Sequence, residues 1–275
     1  MSLFCCPLCG HPLTRDGNTD RCPSGHSFDL AREGYVYLLP VNRKHSAAPG
    51  DDRGMAAARR TFLDTGYYEP LRRALCALAL RDLPQAAPEI LDSGCGEGYY
   101  IAGIYEALRE AGKQPRMAAV DISKAAVRLA ARRTEGVEFS VASAYRLPLA
   151  DRCVDWLLNC FSPLALDEFR RVLRPGGTFV YVVPAARHLW ELKEILYDRP
   201  YLNEEQEIPY PGFRCTEVVP VETRFTLPSQ EAIHALFQMT PYYWKTPRSG
   251  AERLAALTQL DVQASFRIHV FRREP

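Results

Sequence analysis

The sequence predicts an α/β fold: a mostly parallel sheet covered by helices, preceded by a small metal-held module and followed by antiparallel tail strands. Three observations predict it. Between residues 89 and 183, apolar strand-like runs alternate with helix-like stretches, the pattern that builds parallel sheets. A loop carrying Gly94, Gly96 and Gly98 joins the first of those runs to the first of those helices, and glycines there let the backbone approach a ligand closely. Near the start, Cys6, Cys9, Cys22 and His26 stand in the spacing Cys-x2-Cys-x12-Cys-x3-His, which offers Zn²⁺ three thiolates and one imidazole.

The elements follow in order. Residues 1–40 are rich in turn residues and too short to bury a core, so a metal would hold them together. Cys5 and His11 are rival ligands, but Cys6 makes the Cys-x2-Cys pair. Four protein ligands leave no open position, so the metal is structural. Residues 35–39 read as a strand closing this module. Residues 41–54 are polar, with Pro and Gly, and read as a linker. Helices are expected over 55–64 and 69–81. Strands are expected over 89–92, 117–121, 137–141, 154–160 and 178–183, the fourth apolar enough for burial on both faces. Helices over 100–111, 124–133 and 164–173 separate them, the last stopping at Arg174-Pro175-Gly176-Gly177. In the tail, strands over 216–227 and 263–272 flank a helix over 230–239. The expected boundaries are 1–40 for the metal module, 41–66 for linker and helix, and 67–275 for the ligand-binding domain.

Composition narrows the partners. With 275 residues, 47% of them hydrophobic, one medium domain plus a small module is the natural size. A net charge of +1 from 34 basic and 33 acidic residues means that any nucleic-acid surface must be local. The chain has nine cysteines. Those outside the metal spacing are scattered in apolar surroundings, as in reduced intracellular thiols. The first residues lack a basic, apolar leader, and no run reaches membrane-spanning length. The expectation is a cytoplasmic protein with no membrane partner.

The glycine loop, Leu91-Asp92-Ser93-Gly94-Cys95-Gly96-Glu97-Gly98-Tyr99-Tyr100, distinguishes two ligands. Its glycines are not spaced Gly-x-Gly-x-x-Gly, so the dinucleotide fingerprint fails. Asp92, two residues ahead of Gly94, would attract an ammonium and repel a pyrophosphate. Asp121 ends the next strand, placed to take ribose hydroxyls. S-adenosylmethionine carries both an ammonium and a ribose. With Arg174-Pro175-Gly176-Gly177 and the antiparallel tail, this loop resembles the Rossmann-like sheet of class I methyltransferases.

A closer resemblance runs almost end to end. It is carried by Cys6-Pro7-Leu8-Cys9 with Cys22-Pro23-Ser24-Gly25-His26, by Phe28-Asp29-Leu30-Ala31-Arg32-Glu33-Gly34-Tyr35, by Arg59-Arg60-Thr61-Phe62-Leu63-Asp64, by Gly66-Tyr67-Tyr68, by Arg187-His188-Leu189 and by Met239-Thr240-Pro241. On these stretches the chain resembles the bacterial 23S rRNA (guanine-N1)-methyltransferases. That resemblance implies methylation of a guanine in a 23S rRNA hairpin near the peptide exit tunnel. It implies zinc ligation by Cys6, Cys9, Cys22 and His26, and S-adenosylmethionine contacts at Tyr68, Gly96, Glu97 and His188. It also implies a homodimer whose zinc modules help form an RNA-binding cleft. The segment Asn159-Cys160-Phe161-Ser162-Pro163 lacks an Asn-Pro-Pro-Tyr-type motif, so the resemblance names no catalytic base.

Guanine N1 carries a proton at neutral pH and lies on the Watson–Crick edge, so it must be unpaired and deprotonated. Asn159 and Ser162, after the fourth strand, are candidates to face the acceptor. Tyr242 and Trp244 are candidates to stack on it. Arg43, Lys44, Arg59, Arg60, Arg72 and Arg73 are candidates to meet phosphates, against the simpler reading as solvated helix faces. Two competing readings are a methyltransferase for a small molecule or protein, with the zinc module as a docking element, and a silent cofactor-binding RNA module. If the module is autonomous, Cys22→Ser loses zinc and RNA binding and keeps cofactor affinity.

Overall fold

A computed structural model describes residues 2–40, 50–205 and 209–275. Most of the expected linker, and with it Arg43 and Lys44, lies outside the described residues. Eleven strands and eight α-helices are described. β1 (Thr14–Asp16), β2 (Thr19–Arg21) and β3 (Ser27–Asp29) form a small antiparallel ribbon. The large sheet has the order β10-β11-β9-β8-β5-β6-β7-β4. In it, β5 (Glu89–Ser93), β6 (Arg116–Asp121), β7 (Glu138–Val141), β8 (Val154–Cys160) and β9 (Leu173–Pro184) run parallel. β11 (Leu260–Arg273) inserts antiparallel between β9 and β10 (Phe213–Leu227). Because β5 has β8 on one side and β6 on the other, the chain reverses its winding there. This leaves a crevice beyond the carboxyl end of β5, the usual ligand site of such sheets.

The helices start where the sequence supplies caps. Asp52 accepts from Met55 N–H at 2.9 Å to open α1 (Arg53–Asp64). Ser123 caps α4 (Lys124–Ala130) and Ser229 caps α7 (Gln230–Gln238); a hydroxyl or carboxylate at that position satisfies an otherwise orphaned N–H. Pro70 sits in the first turn of α2 (Glu69–Asp82), where its missing N–H costs nothing. α3 (Tyr99–Glu110) follows the glycine loop. α5 (Leu166–Val172) is shorter than expected because Leu173 is already extended (φ −68°, ψ 143°). Arg174-Pro175-Gly176-Gly177 therefore lies within β9 instead of before it. Two helices, α6 (Trp190–Leu196) and α8 (Arg248–Ala255), were not expected from the sequence pattern.

The strand expected to close the metal module does more than that. β4 (Val36–Tyr37) is bridged to Leu30 inside the module, and it also pairs in parallel with β7 through Val36↔Ser140 and Tyr37↔Val141. Leu3, Phe4, Cys6, Leu13 and Cys22 are buried in one cluster with Leu91, Ala118 and Val120 of the central strands. Cys5 N–H donates to Pro148 O at 2.7 Å, and Glu33 pairs with Arg128 and Arg132. The module is thus an extension of the main core and not a separate knob. Helix α1, expected as part of the linker region, packs on α4 and α7.

Candidate active site and metal centre

Two turns assemble the metal centre. Gly10 N–H donates to Cys6 O at 2.8 Å and Gly25 N–H to Cys22 O at 3.0 Å. Both glycines adopt positive φ, 77° and 84°, which folds each turn back beneath its cysteine at no steric cost. The donor atoms of Cys6, Cys9, Cys22 and His26 all lie within 4.8 Å of one another. Cys9 Sγ is 3.6 Å from Cys22 Sγ, and His26 Nδ1 is 3.5 Å from Cys6 Sγ and 3.4 Å from Cys22 Sγ. A tetrahedral zinc with its usual bond lengths has S···S edges of about 3.8 Å and S···N edges of about 3.5 Å. The donors therefore fit Zn²⁺ bound through three thiolates and His26 Nδ1, a closed structural site. The rival ligands Cys5 and His11 are not among the donors that converge there, and His11 Nδ1 lies 2.9 Å from Ser24 Oγ.

At the switch point of the sheet is a cavity of about 330 Å³, within the range of small-molecule sites. Tyr68, Gly94, Gly96, Glu97, His188 and Tyr242 are in its wall, together with Arg59, Tyr100, Cys160 and Phe161. Asp92, Gly98, Asp121, Asn159, Ser162 and Trp244 are not. None of the described residues of the metal module lines it.

Asp92 is buried behind the loop, where burial, and then the charge of Asp121, push its carboxyl well above the usual range. Asp121 Oδ2 accepts from Gly96 N–H at 2.9 Å and Oδ1 from Ser123 N–H at 2.8 Å. Its carboxylate thus braces the glycine loop. Gly98 precedes α3 and packs on Ala130. Glu97 is buried, with Oε2 held by Arg133 Nε at 2.9 Å; burial still pushes its carboxyl up. Around this one loop, Asp92 Oδ1, Ser93 Oγ, Glu97 Oε1 and Asn159 Oδ1 are buried polar atoms with no hydrogen-bond partner. Such atoms are rare in folded proteins and mark sites awaiting a donor. Of the four, Glu97 lines the cavity, and its open carboxylate oxygen suits the hydroxyl and ammonium donors of S-adenosylmethionine, so the cavity fits this cofactor.

His188 is buried, with Nδ1 3.0 Å from Ser265 O. Burial draws its imidazole down to about 4, so it is neutral at physiological pH. The unfolded chain takes up this proton near pH 6.5 and the folded chain only near pH 4. Stability is therefore lost as pH falls through that window, by about 3 kcal/mol from this residue. His188→Asn is expected to flatten the pH dependence of thermal melting between pH 7 and 4.5. An unchanged slope would show that the ring does not sit buried and neutral.

The remaining sequence candidates fall in other surroundings. Asn159 is fully buried, and its Nδ2 donates to Ser93 O (3.2 Å) and Pro163 O (3.1 Å). It is a brace, out of reach of an acceptor in the cavity. Ser162 packs over Gly94. Trp244 is 65% exposed and its Nε1 lies 3.3 Å from Met55 Sδ, outside the cavity. Tyr242 does line the cavity, under the Lys193 ammonium at 5.5 Å. Arg59 lines it too, paired with Asp51 at 2.7 Å. Arg60, Arg72 and Arg73 each pair with a neighbouring acid, so these helix faces offer no row of unpaired cations to a phosphate backbone. Sequence reasoning missed Arg59 and Leu63 as cavity residues, because nothing local brings α1 beside the glycine loop. It also missed Phe161.

A fold of this order with such a cavity beyond β5 defines a class I, S-adenosylmethionine-dependent methyltransferase, here carrying a zinc ribbon. Residues 85–237 match a family described as a methyltransferase domain, and residues 4–47 match one described as "RlmA, N-terminal". The chain is 40% identical over 259 residues to the 23S rRNA (guanine(748)-N(1))-methyltransferase of Streptomyces fradiae, covering 92% of this chain and 90% of that one. It is 33% identical over 273 residues to a Bacillus subtilis (strain 168) protein provisionally named a 23S rRNA (guanine-N(1)-)-methyltransferase, covering 95% and 94%. Among solved structures, a chain from the Haloferax volcanii complex of the Trm112 methyltransferase activator with a methyltransferase shares the fold. It has a TM-score of 0.50 at 20% identity, over 82% of this chain and 100% of that chain. This chain belongs to the 23S rRNA (guanine-N1)-methyltransferase family. No helix among the described residues is long and apolar enough to cross a membrane.

Proposed function

We propose that this chain methylates N1 of a guanine in a 23S rRNA hairpin near the peptide exit tunnel. The observation that carries this reading is the near full-length similarity to the Streptomyces fradiae enzyme, spanning both the zinc ribbon and the cofactor cavity. Bound in the cavity, S-adenosylmethionine supplies a methyl group on a sulfonium. Asp92, Gly94, Gly96, Glu97 and Asp121 shape and polarise the loop that would hold it, and Tyr68, Tyr100 and Leu189 exclude water around it. In-line approach of the guanine nitrogen then contributes more than any covalent help from the protein. The N1 proton needs an acceptor. Burial disfavours the titratable groups of the wall as that acceptor: it draws the His188 imidazole down, which makes it a weak base, and it keeps the hydroxyls of Tyr68, Tyr100 and Tyr242 protonated, so no base is assigned.

The homodimer and the RNA cleft between zinc modules are part of the same proposal, since one chain's module stays clear of its own cavity. We place the start of the methyltransferase domain near Gly50, ahead of α1, because α1 supplies Arg59 and Leu63 to the cavity. Primer extension on 23S rRNA from a deletion strain tests the activity. N1-methylguanine cannot pair and stops reverse transcriptase, so the stop is expected to disappear with the gene and return on complementation. A stop that persists without the gene would refute the assignment.

A further inference from the structure

We infer that Phe161 is the aromatic surface on which the acceptor guanine stacks; this rests on the guanine-methylation reading. Of the large apolar side chains exposed among the described residues, Phe161 alone lines the cofactor cavity, with 42% of its surface open. Its backbone is left-handed, φ 54°, a conformation that strains any residue with a side chain and persists only where the surroundings enforce it.

Three contacts enforce it. Phe161 N–H donates to Val182 O at 3.3 Å. Asn159 Nδ2 ties the turn to Ser93 O and Pro163 O on either side. Ser162 occupies the space above Gly94, where a Cβ would meet its Oγ at 1.9 Å. On the cavity side the ring rests against Phe266 and His188, with centroids 5.7 Å and 6.4 Å away. A fold that accepts strain to hold an aromatic ring half open beside a methyl-donor site has prepared a face for a flat partner. Asp121, at the end of β6, braces the glycine loop that forms one side of the cavity. Phe161 follows β8, across β5 from it. A guanine drawn out of its pair exposes two π-faces, and stacking on an aromatic ring holds it without regard to hydrogen-bond pattern.

The test uses the full-length protein with an in vitro transcript of the 23S rRNA domain, following methyl incorporation, with cofactor affinity measured by calorimetry. Phe161→Tyr is expected to stay within about threefold of the unaltered kcat/KM. Phe161→Leu, which keeps bulk and loses the π-face, is expected to fall roughly ten- to hundredfold, the scale of one lost base stack, with cofactor affinity within about twofold. Leu performing as well as Tyr would overturn the inference. So would a parallel loss of cofactor affinity, which would make Phe161 a cofactor wall. No methylation by the unaltered protein would overturn the guanine reading itself, and the inference with it.

Discussion

Cys22→Ser is expected to destabilise the whole chain and not its first 40 residues alone. Structural zinc in small modules is worth about 10–16 kcal/mol in apparent binding, as large as the entire stability of an ordinary domain. Here Cys22 and Cys6 are buried in one cluster with Leu91, Ala118 and Val120, so disorder at the metal reaches the strands beneath the cofactor. A loss of only 4 kcal/mol lowers Tm by roughly 8–16 °C in a chain of this size. Scanning calorimetry of the variant, or of the protein stripped with a chelator, is expected to show one transition at lower temperature and weakened cofactor binding. Two transitions, the upper one unmoved, would restore the autonomous module that sequence spacing alone suggests.

Gly94→Ala is expected to lower cofactor affinity by at least tenfold and methylation by more than a hundredfold. Gly94 stands at φ 88°, and a Cβ there would overlap Ser162 Oγ at 1.9 Å and Ser162 Cβ at 2.3 Å. The left-handed backbone costs about 1–2 kcal/mol and the overlap a further 1–3 kcal/mol. The turn that carries Ser162 must also move, taking Phe161 with it. Adding Ser162→Gly to Gly94→Ala removes the overlap and leaves the backbone cost, so the double variant is expected to recover part of both losses. Unchanged cofactor binding in Gly94→Ala would show that the interlocked pair is not needed for the site.

Local pattern made much of this legible. The run 154–160 is apolar on both faces and forms β8 over the same residues. The Cys/His spacing converges on one point because two glycine turns do so within a few residues each. What escaped is set by distance along the chain or by backbone state. Nothing in two residues, Val36 and Tyr37, reveals that their partner is Ser140–Val141. The cavity wall draws on α1 and on Met239–Tyr242, far apart in sequence. Phe161 reads as one more apolar residue until its left-handed backbone and half-open ring are seen. Asn159, placed by motif position beside the acceptor, turns inward to brace the loop, a choice settled by two carbonyls that no spacing rule locates.

The insertion of β11 between β9 and β10 also sets a timetable. Pro184 of β9 pairs with Phe266, 82 residues later, a wait of about 4–16 s at ordinary rates of synthesis. Until Phe266 emerges, β9 is a bare edge, Tyr68 lacks one of its aromatic neighbours and His188 lacks the Ser265 backbone. A chain that stops short of β11 lacks this wall of the cavity, and it also lacks Phe271, which is buried in the same cluster as Cys6 and Cys22. The last strand to be synthesised is therefore the one that completes the surroundings of both Tyr68 and His188.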